Sequence, residues 1–188
     1  MKLILLESQA SIVVTDMRNF TQLAEQIEAM ELGIVLSSYY EHIANAIEKH
    51  GGRVAKFMGD GVLAVFTGMH RRQQALALVR ELSEVRAAWL ANNARMHLPS
   101  MDYTIGVATG EVLAGEMGTD RVHFWDVIGA PVNFAFRLGM LANDRGLGEF
   151  IDAVTLDGLS VGERRRYVEV DAAELGGKRH RLFRLDSA

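Results

Sequence analysis

Residues 50–66 read HGGRVAKFMGDGVLAVF. Two short apolar runs, Arg53–Met58 and Val62–Thr67, flank Gly59-Asp60-Gly61, and a glycine-bracketed acid between strand-like runs predicts a tight hairpin with Asp60 at its tip. Gly51-Gly52 supplies the positive-φ backbone that ends a preceding helix. Upstream, Ser11–Asp16 (SIVVTD) is rich in β-branched residues and predicts a strand buried on both faces, with a carboxylate at its C-terminal edge. Between the two, apolar residues from Phe20 to His50 recur at helical intervals (Leu23, Ile27, Met30, then Leu36, Tyr40, Ile43, Ile47), predicting two helices joined near Leu32–Gly33.

Downstream, the pattern predicts a long helix over Arg71–Arg95, a strand over Met101–Thr109 punctuated by Gly110 and Gly115, and a short strand at Phe124–Ile128. A helix at Val132–Leu141, a strand at Glu149–Ala153, a short helix at Thr155–Leu159 and a final strand at Arg181–Leu185 complete the order. Strand pairs alternating with helices predict an α+β fold: a ferredoxin-like βαββαβ core with extra C-terminal strands and helix, its helices packed on a mixed or antiparallel sheet. Neither G-x-G-x-x-G nor G-x-x-x-x-G-K-[ST] occurs, so the dinucleotide fingerprint and the Walker loop are absent.

The chain has 188 residues, 49% of them hydrophobic, and two prolines, which suits one packed domain over 1–188. A net charge of −4 argues against a nucleic-acid groove or an anionic membrane surface. The absence of cysteine excludes a disulfide framework or thiolate chemistry and suits a reducing compartment, so the cytoplasm is expected. The apolar start, MKLILLESQASIVV, is interrupted by Glu7, Ser8 and Gln9 too early for a span of about 20 apolar residues, so no membrane insertion is expected.

Asp16 and Asp60 meet if the first strand lies beside the hairpin, and two converging carboxylates suit Mg²⁺ or Mn²⁺ and hence a polyphosphate substrate. Taken alone, each is more often a turn former or helix cap than a metal ligand. After Asp16 the chain leaves a strand and opens a helix at Asn19-Phe20-Thr21, where unpaired backbone N–H groups can cradle an anion or a side chain can cap the helix.

These segments resemble the class III adenylate and guanylate cyclase catalytic domain. VVTDMRNFT is similar to its first metal motif and HGGRVAKFMGDGVLAVF to its second; TIGVATGEVLAGEMG resembles its central strand and loop, FWDVIGAPVNFAFRL its catalytic helix and LGGKRHRLFRL its last strands. The resemblance implies that Asp16, Asp60 and the Met17 carbonyl hold two divalent ions that promote attack of a ribose 3′-hydroxyl on the α-phosphate. It implies that Asn133 and Arg137 orient the ribose and stabilise the transition state, that Lys178 binds the triphosphate whose tail the Asn19-Phe20-Thr21 turn can cradle, and that Lys56 and Asp126 read the base. An ammonium donating to adenine N1 and a carboxylate accepting from the 6-amino group favour ATP. Homodimers whose sites are shared are implied, as is a regulatory domain or protein upstream.

The chain departs from the family pattern at three places. Thr104 stands where many bacterial members carry a phosphate-contacting arginine, a role then open to Arg53 or Arg18; Trp125 replaces a commoner tyrosine beside Asp126; Ala130-Pro131 opens the catalytic helix. The readings that compete with an adenylate cyclase are a cyclase for GTP or a pyrimidine triphosphate and a cyclase-like regulatory or dimerisation module. Retention of Asp16, Lys56, Asp60, Asp126, Asn133 and Arg137 speaks against the last. A diguanylate cyclase is disfavoured, because Met58-Gly59-Asp60-Gly61 lacks the paired acids of that family.

Overall fold

A computed structural model of the chain describes residues 4–99, 101–119, 121–175 and 177–186. The order is β1 (Ile4–Met17), α1 (Phe20–Gln26), α2 (Ala29–Lys49), β2 (Arg53–Met58), β3 (Gly61–Phe66), α3 (Arg71–Arg95), β4 (Tyr103–Gly118), β5 (His123–Ile128) and α4 (Ala130–Asp144). It continues through β6 (Glu149–Asp152), α5 (Ala153–Leu156), α6 (Val161–Arg164), β7 (Tyr167–Leu175) and β8 (Lys178–Leu185).

Eight strands form one mixed sheet in the order β2-β3-β1-β4-β6-β8-β7, with β5 pairing β4 off that path. The four strands β2-β3-β1-β4 pair antiparallel and give the expected ferredoxin-like core. The β4–β6 pairing is parallel and makes the sheet mixed. Because side chains alternate along a strand, β1 buries one set on each face. Val13 and Met17 join Tyr39, Ile43 and Ile47 of α2 and Leu76 and Val79 of α3. Ile12 and Val14 join Leu63, Val65 and, from α4, Val132 and Ala135. The sheet is therefore sandwiched between α2/α3 and α4.

The backbone of α4 rests directly on β4. A Cβ on Gly106 would stand 1.9 Å from the Ala135 carbonyl oxygen and 2.5 Å from the Gly139 nitrogen, so only glycine allows this approach.

Several elements differ from the sequence expectation. The junction between the first two helices falls at Ile27–Glu28 and not near Leu32–Gly33; Gly33 lies within α2, exposed, and a Cβ there would meet nothing. β1 begins at Ile4, and β4 runs through Gly110 and Gly115 to Gly118, because the two strands pair over their whole length from Ile4↔Glu116 to Met17↔Tyr103. Each long strand supplies the partner for the polar or glycine-rich half of the other. β7 was not expected, although Tyr167-Val168-Glu169-Val170 alternates as strands do. The short helix expected at Thr155–Leu159 is α5, which starts at Ala153 with Asp152 as its cap.

Candidate active site

The acidic turn is built by the β1–β3 register. Asp16 pairs with Gly61, and the Met17 N–H donates to the Asp60 carbonyl at 3.0 Å, so both carboxylates sit at one end of adjacent strands. A Cβ on Gly61 would stand 3.3 Å from Asp16 Oδ1, so the glycine after Asp60 makes room for the first carboxylate. Burial, and then the charge of Asp60, push the Asp16 carboxyl up to about 6. No cation among the described residues offsets this rise, and the turn presents two carboxylates side by side. Oxygen donors with unsatisfied negative charge fit a hard divalent ion. Among the described residues no group of three or more His, Cys, Asp or Glu side chains clusters as a metal site, so further ligands would come from water or substrate.

The turn is braced from α2. The Tyr39 hydroxyl lies 2.8 Å from Thr15 Oγ1, and the Tyr40 hydroxyl donates to the Gly59 carbonyl. After Met17 the chain turns through Asn19, which is left-handed (φ 56°) and makes no side-chain cap bond. Side-chain capping is thus not what this turn does. Its backbone donates from Leu23 to the Asn19 carbonyl, which leaves the N–H groups at the start of α1 outside the helical pattern. Asn19 and Thr21 are exposed, while Phe20 packs against the core.

Lys56 and Asp126, seventy positions apart, are in contact: Lys56 Nζ is 2.6 Å from Asp126 Oδ2. Asp126 is buried, and its other oxygen accepts from the Val127 N–H at 2.8 Å. The Arg53 guanidinium stacks 3.9 Å above the Trp125 ring next to this pair. β2 and β5 are thereby joined by side chains alone.

Asn133 and Arg137 lie one helical turn apart on the exposed side of α4, with exposed Met140 beyond them. Neither has a hydrogen bond or ion pair among the described residues. Lys178 is exposed at the start of β8, opposite Leu175, and no contact joins it to the other site residues; Gly176 of its motif lies outside the described residues. Within one chain, then, the structure brings together Asp16 with Asp60 and Lys56 with Asp126, and leaves Asn133, Arg137 and Lys178 facing outward.

Thr104 is buried and pairs with Asp16 across β1 and β4. Arg18 does not stand in for an arginine there: its Nε is 3.0 Å from Asp102 Oδ2, one terminal nitrogen donates to Asn143 Oδ1 at 2.9 Å and the other to the Leu147 carbonyl. Arg53 stacks on Trp125 and is exposed. Reading the sequence alone missed the bracing pair Tyr39 and Tyr40; adjacent tyrosines on a helix carry no signal that separates core packing from support of a distant turn.

Residues 6–180 match the family described as adenylate and guanylate cyclase catalytic domain. The chain belongs to that family. Among curated relatives of this cyclase domain, an uncharacterized protein of Mycobacterium tuberculosis (strain ATCC 25618 / H37Rv) is 32% identical over 175 residues, covering 91% of this chain and 30% of the relative. A second from the same strain is 30% identical and is covered over 31% of its length. The cyclase domain thus spans less than a third of these relatives. Among solved structures, the guanylyl cyclase Cya2 superposes with a TM-score of 0.80 at 24% identity, covering 95% of this chain and 91% of that one. The adenylyl cyclase CyaB from P. aeruginosa superposes with a TM-score of 0.75 at 21% identity, covering 99% and 97%. These likenesses establish the shared fold. No helix among the described residues is long and apolar enough to cross a membrane.

Proposed function

We propose that this domain is an adenylate cyclase, converting ATP to 3′,5′-cyclic AMP and pyrophosphate at sites shared between two copies of the chain. The observation that carries the base assignment is the Lys56–Asp126 contact at 2.6 Å. One donor and one acceptor, held side by side and partly buried, match adenine N1 and its 6-amino group; guanine presents the reverse pattern. Until a base arrives, the two side chains satisfy each other.

Asp16, Asp60 and the Met17 carbonyl would hold one or two Mg²⁺ or Mn²⁺ ions. Bound there, such ions supply Lewis-acid activation of the ribose 3′-hydroxyl and neutralise the leaving pyrophosphate. The chain's own contribution is positioning. Unpaired N–H groups from Asn19 to Thr21 cradle phosphate oxygens, with Lys178 adding a positive charge. Asn133 orients the ribose, and Arg137 presents a permanently charged fork to the charge that develops on the α-phosphate.

The need for a second copy follows from where these groups point. Asn133 and Arg137 have no partner among the described residues, and exposed Phe124 and Ile128 stand two positions either side of Asp126 on β5, an apolar rim suited to a partner surface. We place the domain in the cytoplasm, where its substrate is made, downstream of a regulatory domain or protein.

The test is product formation from ATP, GTP, CTP and UTP with Mg²⁺ or Mn²⁺ over a series of protein concentrations. Cyclic AMP, with specific activity rising as the dimer forms, is the expected result. A different cyclic nucleotide would overturn the base assignment, and no product from a demonstrated dimer would turn the reading to a regulatory module.

A further inference from the structure

A cavity of about 730 Å³ lies away from the Lys56–Asp126 pair, between α3, the loop before β6, the turn after α6 and the end of β8. Its size falls in the range of roughly 300–1,000 Å³ typical of small-molecule sites. Five arginines line it: Arg80 and Arg86 from α3, Arg165 and Arg166 from the turn, and Arg184 from β8. The lining acids are three, Glu84, Glu149 and Asp186, which leaves the wall two charges positive in a chain whose net charge is −4.

Of the three lining acids one is engaged, while Glu84 and Asp186 are exposed at the edge of the cavity. Glu149 is buried and accepts from the Leu185 N–H at 3.1 Å and from Ser83 Oγ at 3.4 Å. Glu163, whose carboxylate feels the charges of Arg80 and Arg166, is held in the capping box of α6 by Ser160. Two of the arginines are already aimed by neutral groups: Arg80 donates to the Tyr167 hydroxyl at 3.0 Å, and Arg86 donates to the Tyr103 carbonyl at 2.7 Å. The Arg86 Nε is buried without a hydrogen-bond partner, its nearest acid being Asp102 at 3.6 Å. Arg165 and Arg166 are exposed at the mouth and make no side-chain hydrogen bond or ion pair among the described residues.

We propose that this cavity is a binding site for a small phosphoryl anion of two or more charges, distinct from the acidic turn and the base-reading pair. Planar guanidinium forks from separate elements suit phosphate oxygens, which accept paired hydrogen bonds. The concave shape favours a compact anion over an extended acidic segment. Two ion pairs link the cavity wall to the acidic turn, because Arg86 shares Asp102 with Arg18, the residue after Met17.

The probe is inorganic pyrophosphate, titrated calorimetrically into the intact chain in EDTA so that metal-dependent phosphate binding does not contribute. The expected result is one site whose affinity falls tenfold or more in the Arg165→Ala/Arg166→Ala double variant and is unchanged in Arg137→Ala. Amide shifts at Gly146 and Gly148 should report the same event. Both substituted arginines are exposed, and an unchanged circular dichroism spectrum confirms the fold. Absence of binding at millimolar pyrophosphate, wild-type affinity in the double variant, or loss of binding in Arg137→Ala would each overturn the assignment; the last would move the anion to α4.

Discussion

Lys56 Nζ lies 2.6 Å from Asp126 Oδ2 and ties β2 to β5, two strands that do not pair. Replacing Lys56 with Met leaves the buried Asp126 carboxylate without its ammonium, which costs about 1–3 kcal/mol for a fully buried group. The lysine side chain is 37% exposed, so the low end is expected for stability. Turnover is expected to fall further, by on the order of 10–100-fold in kcat/KM for ATP. Equal losses for ATP and GTP would show that the pair does not read the base.

Asp16→Asn and Asp60→Asn should separate chemistry from stability. Both carboxylates are in a site where burial and mutual repulsion already oppose ionisation of Asp16. In EDTA each amide variant is expected to melt at or slightly above the wild-type temperature, while cyclic nucleotide formation drops below detection. Retained turnover in either variant contradicts the metal assignment.

Shared sites predict rescue. An Asp60→Ala chain and an Arg137→Ala chain, each inactive alone, should regain activity on mixing, since one site of each heterodimer then holds both residues. If heterodimers form and the mixture stays inactive, each chain must carry its own complete site.

Gly106→Ala tests the contact between sheet and helix. Its new Cβ would fall 1.9 Å from the Ala135 oxygen, a backbone atom that cannot turn aside. A loss of about 2–3 kcal/mol is expected from overpacking, seen as a lowered denaturation midpoint. Wild-type stability would mean that α4 can lift off β4 at little cost.

His42 predicts an acid sensitivity of the fold. It stacks on Trp89 at 4.2 Å, with its Nε2 3.4 Å from the Tyr103 hydroxyl. Burial holds its pKa below the usual 6.5, with the charge of Glu81 pulling weakly the other way. Below pH 6.5 the unfolded chain therefore binds the proton more readily, and stability falls as pH drops through that window; above it the contribution is constant. His42→Phe keeps a ring against Trp89 and should flatten the melting-temperature difference between pH 7.5 and pH 5.5. An undiminished difference in the variant would assign the effect to other groups.

The amino-acid sequence by itself determined the hairpin around Asp60, the strand ending at Asp16 and the helical spacing of Asn133 and Arg137. Those features are local: alternation, glycine placement and a 3.6-residue period act within a few positions. The tertiary structure decided what depends on distant partners. Strand pairing carried β1 back to Ile4 and β4 on to Gly118, since a polar or glycine-rich stretch becomes strand when a neighbour satisfies its backbone. Side-chain reach then joined Lys56 to Asp126, committed Arg18 to Asp102, laid Arg53 over Trp125, and gathered five arginines from three parts of the chain around one cavity. Periodicity assigns a residue to a face, but only packing decides what that face meets.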